Sequence, residues 1–229
     1  AIGDNAGANV TTGVDNTIIG GLAGDALTDA DYNVAVGKSA LSADTLGSAS
    51  TATGYAALAS QNFTTATDSF NTAVGQYAGA GVTTGIQNTL VGALAGDALT
   101  DADTNVAVGV SALGGDTLGS SSVAIGSSAL RLQNFTTATD VFNVAIGRAA
   151  GENVTTGVKN TLIGALAGDA LTDADFNTAV GFGSLGFDQL GSRTTAIGYR
   201  ALGTQRPTTA TDTYNTAVGY DAGLEVTTG

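Results

Sequence analysis

Carboxylates are the side chains with which this 229-residue chain could do chemistry, because it contains neither His nor Cys. The composition excludes imidazole acid–base catalysis, thiol nucleophiles, disulfides, and zinc or iron–sulfur sites with their usual ligands. An enzyme would therefore depend on carboxylates, hydroxyl groups or two lysines.

Three acidic segments each place three carboxylates within seven residues, and oxygen ligands of this kind suit Ca²⁺. Their spacing matches neither the EF-hand loop nor the nonapeptide calcium repeat, and Asp commonly forms turns. We interpret these segments as solvated turns, with Ca²⁺ binding as the alternative. The carboxylates are Asp25, Asp29 and Asp31; Asp97, Asp101 and Asp103; and Asp169, Asp173 and Asp175.

Paired carboxylates could also hydrolyse glycosidic bonds, which requires an acid and a base about 5 to 10 Å apart. The acids are identical in three tandem copies, however, whereas a single active site needs no triplication. A polysaccharide depolymerase is the weaker alternative, and we expect no catalytic residue, cofactor or metal ligand. The stretch Gly181–Gly186 fits the dinucleotide pattern G-x-G-x-x-G, but its counterparts lack the middle glycine and no helical pattern follows.

The charge and hydropathy of the chain exclude several partners. A net charge of −13, with a pI near 4.1, argues against binding to nucleic acid or to an anionic membrane surface. No apolar run approaches the roughly 18 residues of a membrane span, so we expect no membrane insertion. Only 6% of the residues are aromatic, which predicts a thin core.

Tandem repeats organise the whole chain. The octapeptide Gly24–Asp31 recurs unchanged 72 and 144 residues later, which divides the chain into repeats 1–72, 73–144 and 145–216 and a partial repeat, 217–229. A shorter motif, such as Asn143-Val-Ala-Ile-Gly147, recurs within each repeat at spacings of 17, 17, 17 and 21. We interpret residues 1–229 as one repetitive segment. Both ends fall inside repeated motifs, so we expect a piece of a longer protein.

Each short motif is typical of one coil of a parallel β-solenoid, a β-roll or β-helix. The motif ends in Gly at all thirteen occurrences, and Gly tolerates the positive φ of a sharp corner. The motif opens on Asn in most coils, and stacked Asn side chains can form hydrogen bonds along the axis. A 3.6-residue apolar period is absent, and Gly is too frequent for helix. The sequence therefore predicts an all-β solenoid with 17- and 21-residue coils.

Two apolar columns precede the corner glycine on alternate faces of the strand. We expect the Val and Ile column to face the coil interior and the Ala column to pack against other copies of the chain. This arrangement predicts self-association. The first column is Ile2, Ile19, Val36, Val74, Val91, Val108, Ile125, Ile146, Ile163, Val180, Ile197 and Val218, interrupted by Thr53; the second is Ala1, Ala35, Ala52, Ala73, Ala107, Ala124, Ala145, Ala179, Ala196 and Ala217, with Ile18, Leu90 and Leu162 as exceptions.

These motifs resemble known fibre repeats. Ser122-Val-Ala-Ile-Gly126 is similar to the N-S-V-A-I-G signature of the head domains of trimeric autotransporter adhesins, and Asn215-Thr-Ala-Val-Gly-Tyr-Asp-Ala-Gly223 is similar to repeats in phage tail fibres. The resemblance implies a homotrimer of left-handed parallel β-rolls in an extracellular fibre, on a virion or a cell surface. The coils here are longer than those of adhesin heads, so we expect outward loops or a third strand in each coil.

The sequence therefore predicts a structural shaft that supports attachment to a cell-surface glycan or receptor. Glycan-binding and ice-binding modules are the alternatives. Thr pairs such as Thr83-Thr84 occur in only two coils of every four, which favours a turn or outer-strand role over an ice-binding face. Residues shortly after the corner vary between copies, as drift or as a tuned binding surface would produce; we expect them to be exposed. They are Tyr77, Arg148, Phe182, Tyr199, Arg200 and Tyr220.

Overall fold

The computed structural model of the protein describes residues 1–228 and shows an all-β fold, with no helix in that range. The chain divides into two compact units, Ala1–Ser111 and Ala112–Gly229. The first unit contains β1 (Thr17–Ile19), β2 (Val34–Val36), β3 (Gly47–Ser48), β4 (Thr51–Thr53), β5 (Thr67–Asp68), β6 (Thr72–Val74), β7 (Thr89–Val91) and β8 (Val106–Val108). The second contains β9 (Gly119–Ser120), β10 (Val123–Ile125), β11 (Thr139–Asp140), β12 (Val144–Ile146), β13 (Thr161–Ile163), β14 (Thr178–Val180), β15 (Gly191–Ser192), β16 (Thr195–Ile197), β17 (Thr211–Asp212) and β18 (Thr216–Val218).

In each unit the three-residue strands form one parallel sheet, in which every strand pairs with the strand of the next coil. In the second unit Leu162 of β13 pairs with Ala179 of β14 across a shorter coil, and Ala124 of β10 pairs with Ala145 of β12 across a longer one. The first unit repeats this register through β1, β2, β4, β6, β7 and β8. The predicted parallel β-solenoid with its two coil lengths is therefore confirmed.

The longer coil carries a second short strand. β3 pairs with β5, β9 with β11, and β15 with β17, each through two residues. These pairs join the third coil of each repeat to the fourth, which is the longer one. A third strand per coil was expected as one way of absorbing the extra residues, but the described coils contain at most two strands. The second strand occurs only in the third and fourth coils, and the first two coils of each repeat form turns and bends outside their single strand.

The corner glycines have the predicted conformation. All thirteen have φ between 131° and 144°, a region that a side chain rarely allows. A Cβ added to Gly92 would also lie 2.5 Å from the carbonyl oxygen of Gly109, the corner of the next coil. Positive φ and close backbone stacking both require glycine at these corners.

Leucines from the turns, rather than from the strands, fill most of the core. The fourth residue after the corner has positive φ in every coil and is either Leu, as at Leu41 (φ 53°), or Gly, as at Gly24 (φ 50°). A left-handed Leu costs about 1 kcal/mol, and burying its side chain offsets this by about 2 kcal/mol. Where the fourth residue is Gly, the seventh supplies the apolar group: a Cβ on Gly24 would lie 2.8 Å from Leu27.

The strands face the opposite way from the prediction. The Ala column points into the coil interior, where Ala145 is fully buried, and Leu162 points inward as well. The Val and Ile column lies on the outer surface, where Ile146 and Ile163 are each 37% exposed. Turn leucines leave space for only a small strand side chain. Leu162 fits because Gly151 and Gly168 lie beside it, each with a Cβ position 2.7 Å from Leu162. Leu162 therefore fills the coil interior rather than an intermolecular axis.

Candidate functional site

The outward face of the parallel sheet is the most regular exposed surface in each unit. Every strand of three residues presents its first and third side chains outward and its second inward, as Thr161, Leu162 and Ile163 do in β13. The outward residues are β-branched without exception, because Thr, Val and Ile fit a pleated surface. In the first unit they are Thr17, Ile19, Val34, Val36, Thr51, Thr53, Thr72, Val74, Thr89, Val91, Val106 and Val108; in the second they are Val123, Ile125, Val144, Ile146, Thr161, Ile163, Thr178, Val180, Thr195, Ile197, Thr216 and Val218.

None of these outward strand residues is charged in either unit, although the chain has a net charge of −13. Because the register is unbroken, like residues follow one another at the spacing of neighbouring strands, about 4.8 Å. The third-position column is the more apolar of the two, and Ile125, at 37% exposure, is typical of it. Soluble monomers seldom leave a continuous apolar strip exposed. Each unit therefore exposes a continuous uncharged strip of β-branched side chains.

The acidic segments are only partly solvated turns. In the second copy, Asp101 is exposed and accepts a hydrogen bond from the Thr84 hydroxyl at 2.6 Å, whereas Asp103 accepts one from the Ile86 N–H at 2.7 Å. Asp97 is half-buried, and burial raises the pKa of its carboxyl. Burial likewise raises the pKa of Asp169, with a smaller contribution from Glu152. Asp101 and Asp103 thus accept hydrogen bonds from the preceding coil, whereas Asp97 is partly removed from water.

Within 1–228, no group of three or more acidic side chains is placed to hold a metal ion. In the same range, no helix is long and apolar enough to cross a membrane.

Three buried polar clusters were missed by the sequence analysis. In the first, the fully buried Asp44 accepts hydrogen bonds from the Gly47 N–H at 3.0 Å and from Gln61 Nε2 at 2.6 Å. Gln61 Nε2 also donates to Ser50 Oγ at 2.9 Å, and Gln61 Oε1 accepts from Asn71 Nδ2 at 2.9 Å. Asp116, Gln133, Ser122 and Asn143 repeat this cluster, as do Asp188, Gln205, Thr194 and Asn215.

The Asp and the Gln of each cluster are fully buried inside the coils, where their hydrogen bonds stabilise the structure. The Asp and the Gln occupy the seventh position after the corner, where the other coils carry Leu or Val. Removal from water raises the pKa of Asp188, and hydrogen bonds from Gln205, Gly191 and Leu190 partly oppose the rise. A recurring polar residue in an otherwise apolar column was the signal that could have revealed the clusters.

The Thr pairs occupy bends and join neighbouring coils, in agreement with their predicted turn role. The Thr83 hydroxyl donates to the carbonyl oxygen of Thr100 at 3.2 Å, and the Thr11 hydroxyl donates to that of Thr28 at 3.1 Å. The opening Asn side chains form the expected ladder inside the coils, with Asn160 Oδ1 accepting the Asn177 N–H at 2.9 Å.

The variable residues after the corner are exposed, as predicted, except that Arg200 is only half-exposed. In the second unit, aromatic rings of successive coils stack: the ring centroids of Phe182 and Tyr199 are 5.6 Å apart, and those of Tyr199 and Tyr220 are 5.0 Å apart. In the first unit, Tyr55 and Tyr77 meet edge to face at 5.1 Å. The structure therefore brings residues together that the sequence only marked as variable.

No protein family model, curated protein or solved structure matches the chain.

Proposed function

We propose that this protein is the shaft segment of an extracellular fibre that assembles as a homotrimer through the outward face of its parallel sheet. The uncharged face of Thr, Val and Ile carries this proposal. In a single chain it would remain as a strip of β-branched side chains against water. Packing three such strips together removes them from water, and the absence of like charges makes that approach favourable.

The internal structure supports a mechanical role. Each coil forms backbone hydrogen bonds with the next, and its buried Asn side chains donate across coils, as Asn160 Nδ2 does to the carbonyl oxygen of Ala174 at 2.8 Å. Stability in such stacks increases with every added coil and requires no disulfide. A rigid, protease-resistant spacer that presents an attachment surface follows from this design.

Trimers and the extracellular location are supported by the resemblance of the repeated motif to adhesin heads and phage tail fibres. The Asn-Thr-Ala-Val-Gly-Tyr phrase at Asn215–Tyr220 favours the phage type. The interface differs from the one that the sequence suggested, because the Ala column is inside the coil. Val and Ile therefore replace Ala at the proposed trimer axis.

Native mass spectrometry of the chain and of Ile163→Asp tests the proposal. We expect a wild-type mass of three chains and a folded single chain for Ile163→Asp, because three carboxylates would meet on a dry axis. Asp173→Asn, which changes an exposed residue away from this face, is the control and should remain trimeric. A wild-type mass of one chain, or a trimer of Ile163→Asp, would reject this interface.

A further inference from the structure

The second unit contains a cleft on the turn side of the solenoid, with a volume of about 190 Å³. Leu166 and Asp169 line it from one coil, Arg200 and Gly203 from the coil two further on, and Gly183 and Gly186 from the coil between them. The middle coil has Gly183 where its two neighbours carry Leu166 and Arg200. It has Gly186 where the preceding coil carries Asp169. The missing side chains open the cleft.

Phenylalanine rings flank the two glycines. Phe182 and Phe187 are 47% and 61% exposed, so their rings are available to a ligand. Tyr199 stacks on one face of Phe182, with a ring-centroid distance of 5.6 Å. The equivalent residue in the preceding coil is Ala165, whose methyl group is too small to cover the other face. Tyr199 therefore holds the ring of Phe182 in place from one side.

The other copies of the repeat lack this combination of residues. Where the third copy has Phe182-Gly-Ser-Leu-Gly-Phe187, the first has Lys38-Ser-Ala-Leu-Ser-Ala43 and the second has Val110-Ser-Ala-Leu-Gly-Gly115. Arg200 corresponds to Ala56 and Ser128. The two phenylalanines, the two glycines and the guanidinium of Arg200 thus occur together in the third copy and in neither of the other two.

The polar groups of the cleft are one carboxylate and one guanidinium. Asp169 accepts hydrogen bonds, and Arg200 donates them. Arg200 takes part in neither of the salt bridges found among residues 1–228, which join Arg131 to Glu152 and Arg193 to Asp212. Because the two charges in the lining balance, the cleft favours a neutral ligand with many hydroxyl groups over an acidic or a cationic one.

We propose that this cleft binds a neutral hexopyranose unit, with the apolar face of the sugar against Phe182 and Phe187 and its hydroxyl groups on Asp169 and Arg200. Aromatic rings offer a large apolar surface to such a face, and a few convergent polar groups fix its orientation. The site goes beyond the shaft role, since it lies within one chain and does not depend on the trimer. It would give the shaft a lateral contact with cell-surface glycan.

The test is ligand-observed NMR of the full chain during titration with methyl glucopyranoside, methyl mannopyranoside and methyl galactopyranoside. Glucuronic acid and glucosamine are titrated as the charged comparisons. We expect at least one of the methyl glycosides to bind with a dissociation constant on the order of 1 mM, which ordinary ligand efficiency gives for about a dozen non-hydrogen atoms. Phe187→Ala should weaken binding by about tenfold. Gly183→Ser should fill the cleft and have at least the same effect.

Both substitutions reproduce residues that the repeat already carries at the same position. Ser39 and Ser111 have φ of 57° and 54°, close to the 60° of Gly183, and Ala43 corresponds to Phe187. Circular dichroism should therefore show the wild-type fold for both. Phe142→Ala is the matched control, because this exposed ring lies outside the cleft lining and its loss should leave binding unchanged.

Three results would overturn the assignment. They are the absence of saturable binding of any neutral glycoside, equal binding by the wild type and both cleft variants, and preferential binding of a uronic acid or an amino sugar. Native mass is recorded on the same samples, so that failure to assemble and failure to bind sugar are separate outcomes.

Discussion

Asn160 Oδ1 accepts the main-chain N–H of Asn177 at 2.9 Å, from one coil to the next. In the same ladder, Asn143 Oδ1 accepts the Asn160 N–H at 2.8 Å, and Asn160 Nδ2 donates to the carbonyl oxygen of Ala174 at 2.8 Å. A single buried amide therefore satisfies two backbone groups and receives support from a third contact. The turn before each strand is therefore held by side-chain hydrogen bonds as well as by the sheet.

Replacing Asn160 with Ala should lower the free energy of unfolding by about 3 kcal/mol, because one buried N–H and one buried carbonyl oxygen would lose their partners. Urea denaturation measures this loss at an unchanged m value. Asn153→Ala is the control: Asn153 is exposed and donates one hydrogen bond to the Asp169 carbonyl oxygen, so its loss should cost less than about 1 kcal/mol. Equal losses in the two variants would contradict a structural role for the ladder.

Replacing the corner residue Gly92 with Ala should destabilise the first unit by more than about 3 kcal/mol, because positive φ strain adds to a backbone clash. Gly109→Val should act similarly, since Gly109 has φ of 137°. Thermal unfolding measures both changes. Gly21→Ala is the matched control, because its Cβ would lie 3.8 Å from the nearest atom and the other copies carry Ala93 and Ala165 there. Full stability of Gly92→Ala would refute the corner argument.

Two adjacent substitutions in β12 test which way the strand faces. Ala145→Asp would place a carboxylate inside the coil, so it should destabilise the second unit by about 4 kcal/mol and reduce the β-sheet circular dichroism signal. Ile146→Asp points outward, so it should leave that signal intact while preventing assembly. The opposite result, a folded Ala145→Asp and an unfolded Ile146→Asp, would restore the orientation expected from the sequence.

The stability of the protein should increase as the pH falls through the raised pKa values of three carboxyl groups toward about 4. Burial raises the pKa values of Asp97, Asp169 and Asp188 above their usual value. Between the usual pKa of the unfolded chain and the raised pKa of the folded protein, the folded state therefore binds more protons than the unfolded state. Stability is therefore lost as the pH rises through this window and regained as it falls. Denaturant titrations at several pH values measure the slope.

Asp188→Asn should flatten that slope, because it removes a titrating group that is fully buried. Asp101→Asn is the control for the general loss of one negative charge, since Asp101 is exposed. A wild-type stability that decreases as the pH falls toward about 4 would contradict the predicted sign.

The repeat, the coil lengths, the corner glycines and the Asn ladder could all be predicted from the sequence. Each follows from a backbone requirement that recurs in register. The same residue therefore occupies the aligned positions, as Gly does at thirteen of them and Asn at nine. The parallel pairing also follows, because stacked copies of one motif run in the same direction.

The tertiary structure decided which side of the strand faces the coil interior. Alternation shows that Ala145 and Ile146 lie on opposite sides, but not which side is inside. The turn residues settle it: Leu130, with φ of 49°, is fully buried beside the strand and leaves space only for Ala. A left-handed leucine cannot be recognised from its sequence, because its conformation depends on the cavity that it fills.

The buried Asp clusters and the cleft also depend on tertiary structure. Asp188 occupies a turn, where sequence patterns indicate exposure, and it is buried because Gln205 from the next coil supplies a hydrogen bond at 2.6 Å. The cleft combines Asp169, Gly186 and Gly203 from three successive coils. The sequence by itself determined that coils repeat and stack, whereas stacking decided which side chains lose water, since burial is a property of neighbouring coils together.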